Sequence, residues 1–447
     1  MKDSKRDSFA SSFGMIVALA GSAVGLGNMW RFPYLVGDNG GAAFIIIYLA
    51  FAILFSLPIM LCELTIGRRS QANAVSAFTK LSPGSNWRTA GFLGVLAAFV
   101  VLTFYIVIGG WSVDYLFRSC LFQFRQDADF SGMFEISTTS VWRPMVFMVI
   151  FMLATAIIVR SGIKDGIEKC SKVMMPVLFL IIIILAVYSM LLPGAKAGID
   201  YIFKPDFSQV SGQTFIAAMG QTFFSLSLGM GIMITYASYM GKSENLMKSS
   251  VLTITSDTAF ALIASCAIMP AVFALGGSPD KGPGLVFLTL PNLFAQMKTG
   301  GIVAILFFAS FLLAAITSSI SIFEVIIAYV VENTRLTRVK ATVLMSSVLI
   351  ALGAVNSLSQ GVLSDVKVFG MTILDFCDYV SANFIMTVCA LLTVLFVGWK
   401  LGKANFKDEI TNGGTLAVSG RFIDIIFFII KYIAPPVILA IIVFSQL

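Results

Sequence analysis

Two short stretches of this chain put backbone atoms where they could bind charge. One is Ala20-Gly21-Ser22-Ala23-Val24-Gly25-Leu26-Gly27-Asn28, and the other is Phe223-Phe224-Ser225-Leu226-Ser227-Leu228-Gly229-Met230-Gly231. Each holds a Gly-apolar-Gly triplet beside small polar residues, inside a long apolar run. Glycine in a helix interior costs about 1 kcal/mol relative to alanine. In hydrocarbon, the backbone groups freed by a break cost several kcal/mol more unless they line a cavity. Free N–H groups at the start of a half-helix attract an anion, and free carbonyls at the end of one attract a cation. Close helix packing through Gly21-x-x-x-Gly25 would explain the first stretch taken alone. Two such stretches at corresponding positions favour a binding site at mid-membrane depth.

Oxygen-bearing side chains lie in the other apolar runs. Thr317-Ser318-Ser319 follow Ala314, and Ser256 precedes Asp257. Carboxylate, hydroxyl and carbonyl oxygens are the ligands that hard cations take. Each hydroxyl can instead bond back to its own helix. Asp257 has no such outlet, and a carboxylate in an apolar run is a functional candidate by default. With no histidine in the chain, a Ser-His-Asp triad, a His-Glu-x-x-His zinc site and a haem-ligating histidine are all excluded. The six cysteines form no C-x-x-C and read as small buried hydrophobes. Gly241-Lys242-Ser243 has the ending of a phosphate-binding loop, but Tyr236 stands where that motif needs glycine.

The elements that must position these residues are membrane helices. Of 447 residues, 58% are hydrophobic and 12% charged, and the mean hydropathy is +0.93. A soluble enzyme, a disordered chain and a nucleic-acid binder are excluded on that composition. Runs long enough to cross a bilayer occur at 12–36, 42–67, 90–118, 144–160, 173–192, 213–240, 248–276, 301–331, 340–357, 372–399 and 421–446, which predicts about eleven transmembrane helices. Residues 277–300 are too rich in Gly and Pro to span and read as a structured outer loop. The basic N-terminus before Ala18-Leu19-Ala20 has the look of a signal peptide, but the apolar run does not end there. With the N-terminus inside, 20 of the 30 basic residues fall in inner loops and 9 on the outer side, with Lys431 inside the last span. The positive-inside rule therefore places the N-terminus in the cytoplasm and the C-terminus outside. The net charge of +7 reports this topology and not an acidic partner. The interrupted helices are the first and the sixth, so spans 1–5 and 6–10 have opposite topology.

At these residues the sequence resembles the neurotransmitter:sodium symporter family, and closely its bacterial amino-acid branch. Gly21-Ser22-Ala23-Val24-Gly25-Leu26-Gly27-Asn28-Met29-Trp30-Arg31-Phe32-Pro33-Tyr34, followed by Asn39-Gly40-Gly41, is similar to the family's first-helix signature. Gly220-Gln221 through Gly231, then Thr235-Tyr236-Ala237-Ser238-Tyr239, is similar to its sixth helix. The resemblance implies a single transmembrane domain over 1–447, all-α, with the 5+5 inverted-repeat, leucine-transporter-like fold and discontinuous helices 1 and 6. The first repeat would be 12–192, the second 213–399, and helix 11 would be 421–446. Many members carry a twelfth helix; this chain ends after eleven.

The same resemblance implies two sodium sites. The first would use Ala23, Asn28, Ser225 and Asp257 with the substrate carboxylate; the second would use Gly21, Val24, Ala314, Thr317 and Ser318. A substrate α-carboxylate would meet N–H groups near Gly25, Leu26 and Gly27 and the Tyr105 hydroxyl. Its ammonium would meet carbonyls of Ala23, Phe224 and Ser225 and the Ser227 hydroxyl. Val101, Phe224, Met230, Ser319 and Ile322 would line the side-chain pocket. Arg31 and Asp375 would form an outer gate, and Arg6 and Glu332, with Tyr239 nearby, an inner one. Gly166 to Pro176 would unwind locally to open a water path. Chloride is not expected, because Asp257 supplies the negative charge. A one-residue shift in span 7 would put Ser256 at that position instead.

The implied function is a sodium-coupled symporter that imports neutral hydrophobic or aromatic L-amino acids by alternating access, in the inner (cytoplasmic) membrane. Its partners are an amino acid and the lipid bilayer, with no nucleic acid; it is not an enzyme. A receptor on the same scaffold would ordinarily add a soluble output domain, and a channel would need a continuous polar pore, whereas these polar groups cluster at one depth.

Overall fold

The computed structural model describes residues 7–277 and 284–444. Among these residues the chain is helical and has no strand, its single β-bridge joining Val368 to Met371. Among the described residues nine helices are long and apolar enough to cross a membrane: Ala42–Ser70, Arg88–Cys120, Trp142–Arg160, Ile163–Met190, Leu246–Ala274, Gly300–Asn333, Arg338–Leu358, Ile373–Ile410 and Gly420–Val443. Ser12–Ala23 and Gly27–Asp38 make a tenth as a pair bent by 48°. The remaining run is divided into Gly212–Ser225 and Ile232–Ala237, each too short to cross alone. In chain order these are spans 1 to 11, with span 1 the bent pair and span 6 the divided one. The protein is an all-α polytopic membrane protein, and both interruptions expected from the glycine triplets are present.

Some boundaries differ from the hydropathy reading. Span 10 continues past residue 399 to Ile410 because its polar end is gripped by span 2. The Arg68 Nε lies 2.7 Å from Glu409 Oε2, and Arg69 Nη1 lies 2.9 Å from Asp408 Oδ2. In the expected outer loop, 278–283 lie outside the described residues, and Leu285–Gln296 forms an apolar helix too short to span.

Span 3 is the central post. Of its apolar window, 72% is buried, against 33% in spans 4, 5 and 11, which face lipid. Span 8 packs along span 3, and span 1 lies against spans 5, 7 and 8. Lipid tails are as apolar as leucine, so these helices associate through close fit and not through expulsion of water. Small residues make that fit possible. A Cβ on Gly110 of span 3 would sit 2.6 Å from the Met148 backbone nitrogen of span 4, and one on Gly67 of span 2 would overlap the Ile234 carbonyl of span 6.

Gly67→Val should therefore lower the melting temperature of the purified protein by several degrees, in line with the ~1–3 kcal/mol cost of overpacking. Gly220→Ala, with no atom within 4 Å of the added Cβ, should leave it unchanged or raise it. Thermal unfolding of both variants in one detergent checks this; equal melting temperatures would remove the contact from the account.

Candidate functional site

The two breaks face each other and satisfy each other's backbone. Span 1's first half ends at Ala23, Val24 turns to extended backbone, and the helix resumes at Gly27 with no side chain capping its first N–H groups. Span 6 ends at Ser225 and passes through three left-handed positions before resuming: Ser227 at φ +55°, Gly229 at +77° and Gly231 at +68°. A serine in that region is strained, and its hydroxyl is anchored across the gap by donating to the Ser22 carbonyl at 2.9 Å. The Gln221 amide donates to the Gly27 carbonyl at 2.9 Å. Buried Glu63 of span 2 accepts the Gly229 N–H at 2.7 Å. Any Cβ on Gly229 would overlap the Met386 carbonyl, so the unwound turn admits only glycine there.

Between the breaks lies a small cavity of about 20 Å³. Ala23, Gly25, Leu26, Gly27, Val101, Tyr105, Phe224, Ser225, Ser227, Met230 and Ile322 all line it, together with Ser22 and Ser318. Ser319 does not: its hydroxyl is 2.8 Å from Thr155 Oγ1 of span 4 and also donates to the Ile316 carbonyl. The side chain at 319 points about 100° around the helix from that at 318, and packing gives 318 to the cavity. The Tyr105 hydroxyl and the Ser22 hydroxyl are buried here without a hydrogen-bond partner among the described residues. Each such orphan costs about 1–3 kcal/mol.

Oxygen atoms cluster on either side. Asp257 of span 7 is fully buried and faces span 1, while Ser256 is only half-buried. The Asp257 carboxylate accepts from Asn28 Nδ2 at 2.8 Å, Ser225 Oγ at 2.8 Å and Tyr48 Oη at 3.0 Å. Tyr48 was not singled out in the sequence; its only signal is a hydroxyl within the apolar run of span 2. On the other side, Thr317 Oγ1 is 3.4 Å from the Val24 carbonyl and 3.0 Å from that of Ala314. Ser318 Oγ is 3.3 Å from the Ser22 carbonyl and 3.5 Å from that of Val24. Gly21 packs here against Met175 and Thr317. Among the described residues no group of three His, Cys, Asp or Glu could hold a metal ion. A transition metal is thus poorly served, whereas an alkali cation is suited to carbonyl and hydroxyl oxygens with a single carboxylate.

Above the site a second cavity of about 190 Å³ is lined by Trp30, Arg31, Tyr34, Phe224, Asp375 and Asp378, among others. The Arg31 guanidinium lies 5.0 Å from the centre of the Phe224 ring. Among the described residues no ion pair within 4 Å joins Arg31 to Asp375, which is exposed and accepts from Thr372 Oγ1 at 2.6 Å. Asp378, one turn further into span 10, shares an electrostatic neighbourhood with Arg31 and Tyr34. Asp378 therefore joins the outer constellation.

Below the site, Arg6 lies outside the described residues. Glu332 accepts from the Asn73 N–H at 2.9 Å and from Asn73 Nδ2 at 2.7 Å. Tyr239 donates to Glu324 at 2.8 Å, and Glu324 is also paired with Arg338. Span 5 is continuous through Gly166, as the π-turn Ile163–Glu168, rather than unwound. Glu168 holds that turn against span 1 by accepting the Ala10 N–H at 2.6 Å and the Ser11 hydroxyl at 2.8 Å, while pairing with Lys172 at 2.6 Å.

Residues 6–127 and 132–447 match the model of the sodium:neurotransmitter symporter family. The chain is 37% identical to the sodium-dependent transporter YhdH of Bacillus subtilis (strain 168), covering 100% of this chain and 99% of the relative. It is 36% identical to a sodium-dependent transporter of Haemophilus influenzae, covering 98% and 97%. Among solved structures, that of MhsT in complex with L-phenylalanine matches with a TM-score of 0.91 and 42% identity, covering 99% of this chain and 100% of that one.

Exchanging choline for sodium at constant ionic strength should raise the melting temperature of the purified protein, since a ligand at a hundred times its Kd stabilises the folded state by ~2.7 kcal/mol. Thr317→Ala combined with Ser318→Ala should lose most of that rise and keep the choline value. An undiminished sodium response in the double variant would remove these hydroxyls from the ion site.

Proposed function

Because the chain belongs to the sodium:neurotransmitter symporter family and is a sodium-dependent transporter, not an enzyme, we propose that its cargo is a neutral hydrophobic or aromatic L-amino acid, imported with sodium by alternating access. The observation that carries this reading is the cavity between the breaks. It is lined on one side by apolar Val101, Phe224, Met230 and Ile322 and on the other by backbone and hydroxyl groups. A zwitterion leaves water only where both its charges find partners. Its carboxylate would meet the uncapped N–H groups at Leu26 and Gly27 and the orphan Tyr105 hydroxyl. Its ammonium would meet carbonyls of Ala23, Phe224 and Ser225 and the Ser227 hydroxyl. The L-phenylalanine bound to the similar MhsT supports the same class of cargo.

Two sodium ions would flank the substrate. One would be held by Ala23, Asn28, Ser225 and Asp257 with the substrate carboxylate, and the other by Gly21, Val24, Ala314, Thr317 and Ser318. In this scheme the Asp257 carboxylate both ligates the first ion and offsets its charge, so no chloride is needed. Residues 12–192 and 213–399 act as inverted repeats, and 421–446 as an added helix. Arg31 with Asp375 and Asp378 closes the outside, and Glu332 and Tyr239 belong to the inner closure, whose Arg6 lies outside the described residues. The protein sits in the cytoplasmic membrane with its N-terminus inside and its C-terminus outside, as the basic loops favour.

In proteoliposomes, uptake of labelled L-phenylalanine should require an inward sodium gradient and vanish in choline. Leucine, isoleucine, tyrosine and tryptophan should compete, and aspartate, glutamate and lysine should not, because no charged side chain lines the cavity and Met230 adapts to bulky groups. Glutamate competing as well as tryptophan would overturn the pocket assignment.

Replacing chloride by gluconate at fixed sodium should leave uptake unchanged. Asp257→Asn should abolish uptake or make it chloride-dependent. A several-fold loss of wild-type uptake in gluconate would refute the role given to Asp257.

A further inference from the structure

Span 11 carries a lysine that transport leaves unused. Lys431 lies about halfway along Gly420–Val443, in the π-turn Ile429–Ile433. Lys431 is level with Trp399, where the apolar run of span 10 gives way to Lys400, Lys403 and Lys407, and a lysine set within a span usually pairs with an acid. Among the described residues Lys431 has no carboxylate within ion-pair distance; Asp424, two turns away on the same helix, is taken by Lys403 at 2.9 Å. Its ammonium sits instead 4.7 Å from the centre of the Trp399 ring and 5.3 Å from that of Tyr432. Ring contacts of this kind offset only part of the burial cost.

The position is shaped to hold that stem. Trp399 belongs to a second π-turn, Phe396–Leu401 of span 10, and the two π-turns pack against each other. A Cβ on Gly398 would come within 3.1 Å of the Lys431 Cα and 3.6 Å of its Cγ, so the stem rests on bare backbone. Outward, Trp399 is 61% exposed and Tyr432 51%, and Tyr432 packs with Phe428 at 5.3 Å between ring centres. Aromatic rings exposed to lipid in this way belong at headgroup depth, towards which a lysine stem extends. The connection between spans 10 and 11 adds Lys400, Lys407 and Arg421 at the same end of the molecule, while its acids are taken up, Asp424 by Lys403, Asp408 by Arg69 and Glu409 by Arg68.

We propose that Lys431, Trp399 and Tyr432 form a binding site for the phosphate group of an anionic phospholipid. The ammonium takes the phosphodiester, the rings hold the ammonium in place, and an acyl chain lies along Phe428 and Tyr432. The site is separate from the substrate path and does not depend on which amino acid is carried.

The test uses the full chain in nanodiscs and reads Trp399 fluorescence as the difference between wild type and Trp399→Phe. At equal mole fraction, brominated phosphatidylglycerol should quench Trp399 about fivefold more effectively than brominated phosphatidylcholine, the preference expected from one basic residue at an anionic surface. Lys431→Gln should abolish the preference and Lys431→Arg should keep it. Gly398→Ala, which displaces the stem, should reduce it and serves as the second variant if Lys431→Gln fails to assemble. Adding inorganic phosphate should leave the preference intact; relief by free phosphate would reassign the site to a soluble anion and overturn the lipid. Equal quenching by the two lipids, or a preference that survives Lys431→Gln, would reduce Lys431 to an interfacial anchor and overturn the proposal. Sodium-dependent thermal stabilisation, measured on every variant, separates failure of this site from failure of the transport reading.

Discussion

The structure depends on one constraint: a backbone broken inside hydrocarbon must find partners for its free N–H and C=O groups. Spans 1 and 6 meet that demand by breaking at the same depth and facing each other. Ser227 donates to Ser22 across the gap, Gln221 donates to Gly27, and Glu63 takes the Gly229 N–H from behind. Groups left over, such as the Tyr105 hydroxyl and the N–H groups near Gly27, line the cavity. A site made this way presents both dipole ends of short helices to one small space, so it suits a ligand that carries both charges, with cations beside it.

The same constraint explains which oxygens gather beside the breaks. Helix ends supply carbonyls, and the surrounding spans need add only a few hydroxyls and a single carboxylate, Asp257. Asn28, Ser225 and Tyr48 converge on that carboxylate from three different spans. The oxygen clusters and the helix breaks are thus one structure: moving either half of span 1 or span 6 changes the geometry at both clusters. An ion held there with differential affinity for two arrangements of the spans would shift the balance between them.

Away from the centre, buried ion pairs sit at helix ends, where they cost least and fix the frame. Asp114 gathers Arg118, Arg143 and Ser137 at one end of span 3. At the other face, Arg68 ties span 2 to the extension of span 10, Arg338 ties Glu324 to the start of span 9, and Glu168 ties span 5 to the first turn of span 1. The Arg68–Glu409 pair joins spans distant in sequence, the Asp114–Arg143 and Glu324–Arg338 pairs join neighbouring ones, and removing one partner leaves an uncompensated buried charge.

The eleven apolar runs, the paired glycine triplets, Asp257 and the Thr317-Ser318 pair were legible in the sequence, because apolar length and the cost of breaking or charging a helix in lipid are properties of the chain read one residue at a time. Which side chain faces which could not be read that way. Ser318 rather than Ser319 lines the cavity, and Asp378 joins Asp375 near Arg31 only once the helices have packed. Adjacent residues on a helix point about 100° apart, and rotation about the helix axis is set by close fit between spans. Tyr48 and Glu63 acquire their roles from partners far along the chain, and the π-turn in span 5 exists because Glu168 reaches the start of span 1. Composition fixed the depth of each polar group; tertiary packing alone decided its direction, because hydrocarbon penalises an unpaired polar group wherever it points and rewards only the partner that packing brings to it.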